Sequence, residues 1–135
     1  MILAVSTGLM ALALAGHLHS ASQGPPSFVA SYARSLATTM GDPVPVSGQW
    51  VLTNRQAGAQ LMSRDLVNST QPVYLVVLHG SFVDTKSYAP LAAADPRGTQ
   101  MYFQMDVMTH SVLDFGITSS SPKVNSLGEV HAFSP

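Results

Sequence analysis

The feature that most constrains the fold of this chain is a pair of alternating runs within residues 101–117, which meet at a polar turn. Apolar side chains recur at every second residue on both sides of that turn: Met101, Phe103, Met105, Val107, Leu113, Phe115 and Ile117. Successive residues of a strand point to opposite faces of a sheet. The pattern therefore predicts a β-hairpin with one face buried and the other exposed to solvent.

Composition excludes several classes of function. Only 10% of the 135 residues are charged, against about 25% in an average domain. Six basic and seven acidic residues give a net charge of -1 without a cluster of either sign, so neither a nucleic acid nor an anionic membrane surface is an expected partner. The absence of cysteine excludes disulfides, thiolate catalysis and thiolate zinc sites.

The first 22 residues have the character of a targeting segment. Residues 2–16 are uncharged and apolar, with the length of a signal-peptide apolar region. Small residues follow, and the mature chain is expected to begin near Ser22 or Gln23. We expect a secreted or extracytoplasmic protein; an uncleaved membrane anchor and a buried first helix are the alternatives. His17 and His19 are spaced for metal chelation, but without a nearby third ligand no metal site is predicted.

Residues 23–48 are expected to form a helix and a proline-containing linker. Ser27 is placed to cap the helix, and Gly41 is placed to end it. One apolar stripe recurs at helical spacing: Phe28, Val29, Tyr32, Ala33, Leu36 and Met40.

Residues 49–135 are expected to form an α+β domain. Trp50 opens a short strand or a hydrophobic staple, and a helix begins at Thr53 as its N-cap and runs to about Leu66. The small residues 57–59 in that helix would allow close approach to a sheet. Residues 68–70 match an N-glycosylation acceptor pattern but are interpreted as a turn. The continuously apolar residues 72–83 predict a central strand covered on both faces or a strand in a curled sheet.

The connection from Asp84 to Gln100 has no periodicity of its own. A loop of that length in a small domain is either functional or loosely ordered. It is therefore a candidate binding surface, together with an exposed edge of the sheet. Leu127, Val130 and Phe133 are expected to hold the tail against the core.

The polar turn supplies the first candidate site residues. Asp106 and Thr109 can accept hydrogen bonds from nearby backbone N–H groups, so we interpret them as turn-forming residues. His110 occupies a position that usually requires positive φ, where histidine is better tolerated than most residues.

Enzymatic alternatives rest on His79, Ser81 and Asp114. A serine, a histidine and a carboxylate could make a hydrolase, but Ser81 lacks the flanking glycines of a nucleophile elbow. Asp106, His110 and Asp114 lie along one hairpin and could hold a divalent cation weakly. We predict no catalytic residue, metal ligand or cofactor, and we assign the protein as a non-enzyme.

Several motifs carry a resemblance to a known family. They are Trp50-Val51, Thr53-Asn-Arg55, the run from Val73 to Val83, the turn from Met105 to Gly116 and Ser126-Leu-Gly128. Together they resemble small uncharacterised secreted bacterial proteins with a PepSY-like, cystatin-like α+β domain, although His110 replaces the turn glycine. The resemblance implies an extracytoplasmic, non-catalytic module and supplies no catalytic residues.

The expected architecture is a helix packed on a curled antiparallel sheet of three to four strands. The predicted core consists of Trp50, Leu61, Met62, Leu66, Leu75, Val77, Phe82, Phe103, Met105, Leu113, Phe115 and Ile117. The leading hypothesis is an exported binding or inhibitory module whose partner is an extracytoplasmic protein or peptide. A small hydrolase or metal-dependent enzyme and a membrane-tethered structural protein are the alternatives.

Overall fold

The computed structural model describes residues 24–86 and 94–135. In chain order its elements are α1 (Ser27–Thr39), β1 (Ser47–Asn54), α2 (Arg55–Met62), β2 (Pro72–Val83), β3 (Arg97–Asp106), β4 (Val112–Thr118), a 3-10 turn (Val124–Ser126) and β5 (His131–Phe133). The predicted leader, with His17 and His19, lies outside the described residues. Within the two described ranges, no helix is long and apolar enough to cross a bilayer.

The strands form one five-stranded sheet in the order β4-β3-β2-β1-β5. Every neighbouring pair is antiparallel, so the predicted α+β class with an antiparallel sheet is confirmed. The prediction of three to four strands was wrong. The segment around Trp50 forms a full eight-residue strand, and the tail adds β5 beside it.

Both faces of the sheet are covered. Side chains of α1 pack with one set of strand residues, among them Trp50, Val76 and Phe103. Residues of opposite parity, among them Val51 and Leu75, pack with α2 and the C-terminal tail. The central position and two-sided burial predicted for β2 are confirmed.

The prediction that one face of the hairpin is exposed to solvent was wrong. Tyr102, Gln104 and Asp106 are 8%, 0% and 3% exposed. Their polarity indicated a wetted face, but the second helix covers that side of β3. Polar groups can be buried there because most of them find hydrogen-bond partners.

Helix α1 begins at Ser27, one residue earlier than predicted, so the assignment of Ser27 as its cap was wrong. Pro26 occupies the N-cap position, and its carbonyl accepts from the N–H groups of Val29 and Ala30. At the other end Gly41 has φ 88°, and the bonds Gly41 N–H to Thr38 and Asp42 N–H to Ala37 form a Schellman motif. The predicted glycine stop is therefore confirmed.

Helix α2 is shorter than predicted at both ends. Asn54, rather than Thr53, is the N-cap, and its side chain accepts from the N–H of Ala57 at 2.9 Å. The helix ends at Met62, and Leu66 is 92% exposed. The returning chain must place the carbonyl groups of Ser69 and Gln71 beside the first N–H groups of the helix. A longer helix would carry the chain away from those bonds.

Most of the predicted core is inside the molecule. Trp50, Leu75, Val77, Phe82, Phe103 and Met105 are buried, and Leu61, Met62, Leu113 and Ile117 are partly buried. Leu66 and Phe115 are exposed, so these two assignments were wrong. Phe115 faces the same side as its cross-strand partner Phe103, but β4 lies at the edge of the sheet. A bulge between Gln104 and Met105 pairs Met105 with Val112 instead of Leu113.

These positions predict unequal costs for two similar truncations. Phe103→Ala should lower the free energy of unfolding by about 3–5 kcal/mol, because it leaves a cavity in a closed core. Phe115→Ala should cost less than half as much, since that side chain is already 51% exposed. Urea unfolding at low protein concentration measures both. Equal losses would contradict the burial described here.

Candidate functional site

Strand β4 forms one edge of the sheet. Among the described residues it pairs only with β3, with Met101 opposite Ile117, Phe103 opposite Phe115 and Gln104 opposite Asp114. The strand is seven residues long, whereas β5 at the other edge has three. Unpaired N–H and C=O groups along such an edge can pair with another extended chain.

The side chains of β4 do little to block that edge. Its sequence, Val-Leu-Asp-Phe-Gly-Ile-Thr, contains neither lysine nor proline, the residues that commonly protect an edge. Phe115 stands at the middle of the strand and is half exposed. A half-exposed aromatic ring at the centre of an edge without lysine or proline is a feature of a contact surface.

The charge of Asp114 is largely compensated within the domain. Its Oδ2 lies 3.3 Å from Nε of Arg55 and accepts a hydrogen bond from Nε2 of Gln104 at 3.4 Å. Arg55 is the first residue of α2, where the helix dipole disfavours a positive charge, so the carboxylate offsets an unfavourable placement. Both side chains are about one third exposed, and such a pair contributes at most about 1 kcal/mol.

Gln104 sits under α2 with no exposed surface. A Cβ atom at Gly58 would overlap the Gln104 amide, so this glycine sets the distance between the helix and β3. The close approach expected from the small residues of this helix is therefore present. Among the described residues, Oε1 of Gln104 has no hydrogen-bond partner, and leaving a buried acceptor unpaired costs about 1–3 kcal/mol.

Tyr102 occupies the next position along the same face. Burial raises the pKa of its hydroxyl, while a hydrogen bond with Ser63 acts in the opposite direction. The ring lies against Gly116 of β4, where an added Cβ would come within 2.6 Å of the hydroxyl oxygen. Glycine at 116 therefore leaves room for the Tyr102 ring on this face of the edge strand.

The turn between β3 and β4 is organised by Asp106. Its Oδ1 accepts from the N–H groups of Met108 at 2.7 Å and Thr109 at 2.6 Å, and its Oδ2 accepts from the Gln71 amide. The backbone hydrogen bond from Thr109 is the main reason that the pKa of the Asp106 carboxyl is lowered. The hydroxyl of Thr109 in turn accepts from the N–H of Ser111.

His110 has φ 61°, as its place in the turn requires. Its ring stacks on that of Phe28, with centroids 3.7 Å apart and planes 14° apart. The stacking joins the turn to the first turn of α1. His110 therefore contacts the α1 side of the sheet, and Asp114 contacts the α2 side through Arg55 and Gln104.

The hydrolase and metal candidates are not assembled into a site. His79 is opposite Gln100, and Asp114 is opposite Gln104; these rows are four residues apart, or about 13 Å along the strands. Ser81 lies within the irregular stretch between His79 and Phe82, and its N–H donates to Asp42. In residues 24–86 and 94–135, no three histidine or acidic side chains are grouped so that they could hold a metal ion.

The connection from β2 to β3 differs in its bounds from the prediction. Strand β3 already begins at Arg97, so the connection runs from residue 84 to residue 96 and not to Gln100. The N–H of Asp84 donates to the carbonyl of Pro96 at 2.9 Å and closes its base. Residues 87–93 lie outside the described part of the chain.

A wide groove runs between α2 and the C-terminal tail. It encloses about 920 Å³ and includes Arg64, Lys123 and three serines along its rim. Its walls are open, and none of the candidate site residues named from the sequence lines it. Sequence reasoning also missed the roles of Arg55, Tyr102 and Gln104. The one available signal was the glutamine at position 104, which stands between two apolar residues.

Comparison of the chain with protein-family models, curated proteins and solved structures finds no match.

The contact between Gly58 and Gln104 generates a stability prediction. Gly58→Ala should lower the free energy of unfolding, because overpacking costs about 1–3 kcal/mol and exceeds the about 1 kcal/mol that alanine adds to a helix. In a Gln104→Ala background the same change should be neutral or stabilising. Chemical unfolding of the four variants of this cycle tests the contact, with Gly24→Ala in open space as the control. Equal effects in both backgrounds would contradict it.

The Asp106 turn generates a pH prediction. The ordinary pKa of this carboxyl is 3.8, and folding lowers it. Below that pH the unfolded chain takes up a proton that the folded chain does not, so the free energy of unfolding falls as pH drops toward the folded-state pKa. Asp106→Asn should remove this part of the slope. Urea unfolding between about pH 5 and about pH 2 checks it, with the exposed Asp95→Asn as control; identical slopes for all three proteins would argue against it.

Proposed function

We propose that this protein is an exported, non-catalytic binding module that receives an extended peptide segment along β4. The observation that carries the proposal is the seven-residue edge strand with a half-exposed phenylalanine at its centre. An added strand would satisfy the outward backbone groups of β4 and cover Phe115. An inhibitory role would use the same surface, by holding the extended segment away from other partners.

The arrangement of the polar residues supports binding over catalysis. The Asp106 carboxylate accepts two hydrogen bonds from the turn and one from Gln71, and Asp114 is engaged by Arg55 and Gln104. His79 and Ser81 belong to a strand of the sheet, and the Asp42 carboxylate accepts a hydrogen bond from the backbone N–H of Ser81. These residues have structural partners, so their presence in the sequence needs no reaction to explain it.

The sequence supports two further parts of the proposal, an extracytoplasmic location and a relationship to PepSY-like domains. The apolar run at residues 2–16 supports an extracytoplasmic location, and the turn motif from Asp106 to Val112 supports a PepSY-like relationship. An α+β domain with an antiparallel sheet is compatible with that relationship. The partner would then be an extracytoplasmic protein or peptide with an extended apolar segment.

Selection from a random peptide library tests the proposed surface. With the full chain as bait, enriched heptapeptides should carry apolar residues at alternate positions. Every second side chain of an added strand lies on the same face of the sheet as Phe115. Phe115→Lys should weaken peptide binding at least about tenfold by removing the apolar contact and adding an edge charge. Fluorescence anisotropy with a labelled selected peptide measures the affinity.

Leu52→Lys is the matched control, because Leu52 is 54% exposed on a different strand. It should leave peptide affinity unchanged. Amide hydrogen exchange should also slow in β4 when the peptide is bound. Equal losses in the two lysine variants, or no new protection in β4, would refute the proposed binding surface.

A further inference from the structure

We propose that the partner of the β4 edge is a second copy of this chain, paired antiparallel about a twofold axis at Phe115. This inference rests on the proposed function, because it names the occupant of the same edge. Residue 115 is the middle of the strand Val112–Thr118. An axis there lets the two strands overlap over their full length, with the bulge at Leu113 near the end of each, whereas an axis at another residue leaves strand ends without a partner strand.

The side chains on the α1 side match under this symmetry. Phe115 lies opposite Phe115 of the second copy, while Leu113, the extra residue of the bulge against β3, lies level with its Ile117. Residues opposite each other in antiparallel strands share a face and approach within about 4.5–5.5 Å. The half-exposed phenylalanines therefore cover each other on the α1 side. Each copy supplies the apolar surface that the other lacks.

Charge selects the same register. With the axis at Phe115, each Asp114 lies opposite Gly116 of the second copy, which has no side chain. Moving the axis to Asp114 would place two carboxylates directly opposite each other, and like charges in that position are destabilising. Arg55 lies beside Asp114 in each copy. Its positive charge balances the carboxylate, so pairing the two edges does not bring uncompensated negative charges together. The strand is self-complementary in shape and in charge.

The expected dimer is small in area and reversible. A single strand pairing lies at the low end of the size range of protein interfaces. The dimer should therefore dissociate on dilution, and light scattering coupled to gel filtration should record a mass that doubles as the concentration rises. Phe115→Lys should be monomeric at the highest concentration at which the wild type is dimeric, and Leu52→Lys should remain dimeric. A wild-type chain that stays monomeric throughout would overturn the inference.

Disulfide trapping tests the register, because the chain contains no cysteine. In Phe115→Cys the two introduced residues face each other across the axis, with Cα atoms about 4.5–5.5 Å apart, which a disulfide can span. Mild oxidation of the full chain should give a covalent dimer at least about tenfold faster than in Leu52→Cys, with the rate ratio read from non-reducing gels.

Asp114→Cys is the register control on the same strand. Under the proposed symmetry its two copies lie diagonally, with Cα atoms about 8 Å apart, beyond the reach of a disulfide. It should therefore cross-link no faster than Leu52→Cys. Cross-linking through residue 114 at the rate of residue 115 would overturn the proposed axis.

The two proposals fail in different ways. If the wild type remains monomeric but still binds selected peptides in a manner lost in Phe115→Lys, the second copy is the wrong partner and the edge is still a binding surface. If neither a dimer nor a bound peptide depends on Phe115, both proposals are wrong.

Discussion

Burial of β2 and β3 on both faces is the constraint on which the rest of this structure depends. Two strands in the middle of a five-stranded sheet cannot be covered by one amphipathic helix, so the chain places α1 on one side and α2 with the tail on the other. Covering the second face requires α2 to approach β3 closely, and Gly58 permits that approach. The buried polar groups beneath α2 follow from this arrangement. Gln104 and Tyr102 remain inside because the helix that covers them arrives directly from β1 without a loop.

The same arrangement determines which edge of the sheet is left exposed. The coverage given by α1 and α2 is centred on the inner strands, and it diminishes toward β4, where Phe115 is half exposed while its partner Phe103 is fully buried. At the opposite edge, the tail contributes β5 and shortens the open stretch of β1. The sheet therefore has unequal edges: one is partly capped by the chain's own tail, and the other presents seven residues with one compensated charge.

The sequence predicted the parts of this fold that depend on local pattern. Alternation located the hairpin, a continuous apolar run located β2, and Gly41 located the end of α1. It failed where distant segments decide the outcome. Leu66 has helical spacing, but the return of the chain to Gln71 ends α2 at Met62. Gln104 looks like a solvent-facing residue until α2 is placed over it. Phe115 has the parity of the core, and only the strand order shows that it lies at an edge.

The candidate site was less predictable than the fold because edge position is a property of the whole sheet. Asp106, Thr109 and His110 could be recognised as turn residues, since a short loop contains most of their partners. The compensation of the Asp114 charge could not be predicted, because its partner Arg55 is 59 positions away in the chain and comes beside it only on folding. A charge that is compensated from within the domain protects an edge less than a free lysine would. Within residues 24–86 and 94–135, no further strand covers this edge and its one charge is compensated, which favours pairing with another strand. The central position of Phe115 makes an identical strand a geometrically suited partner.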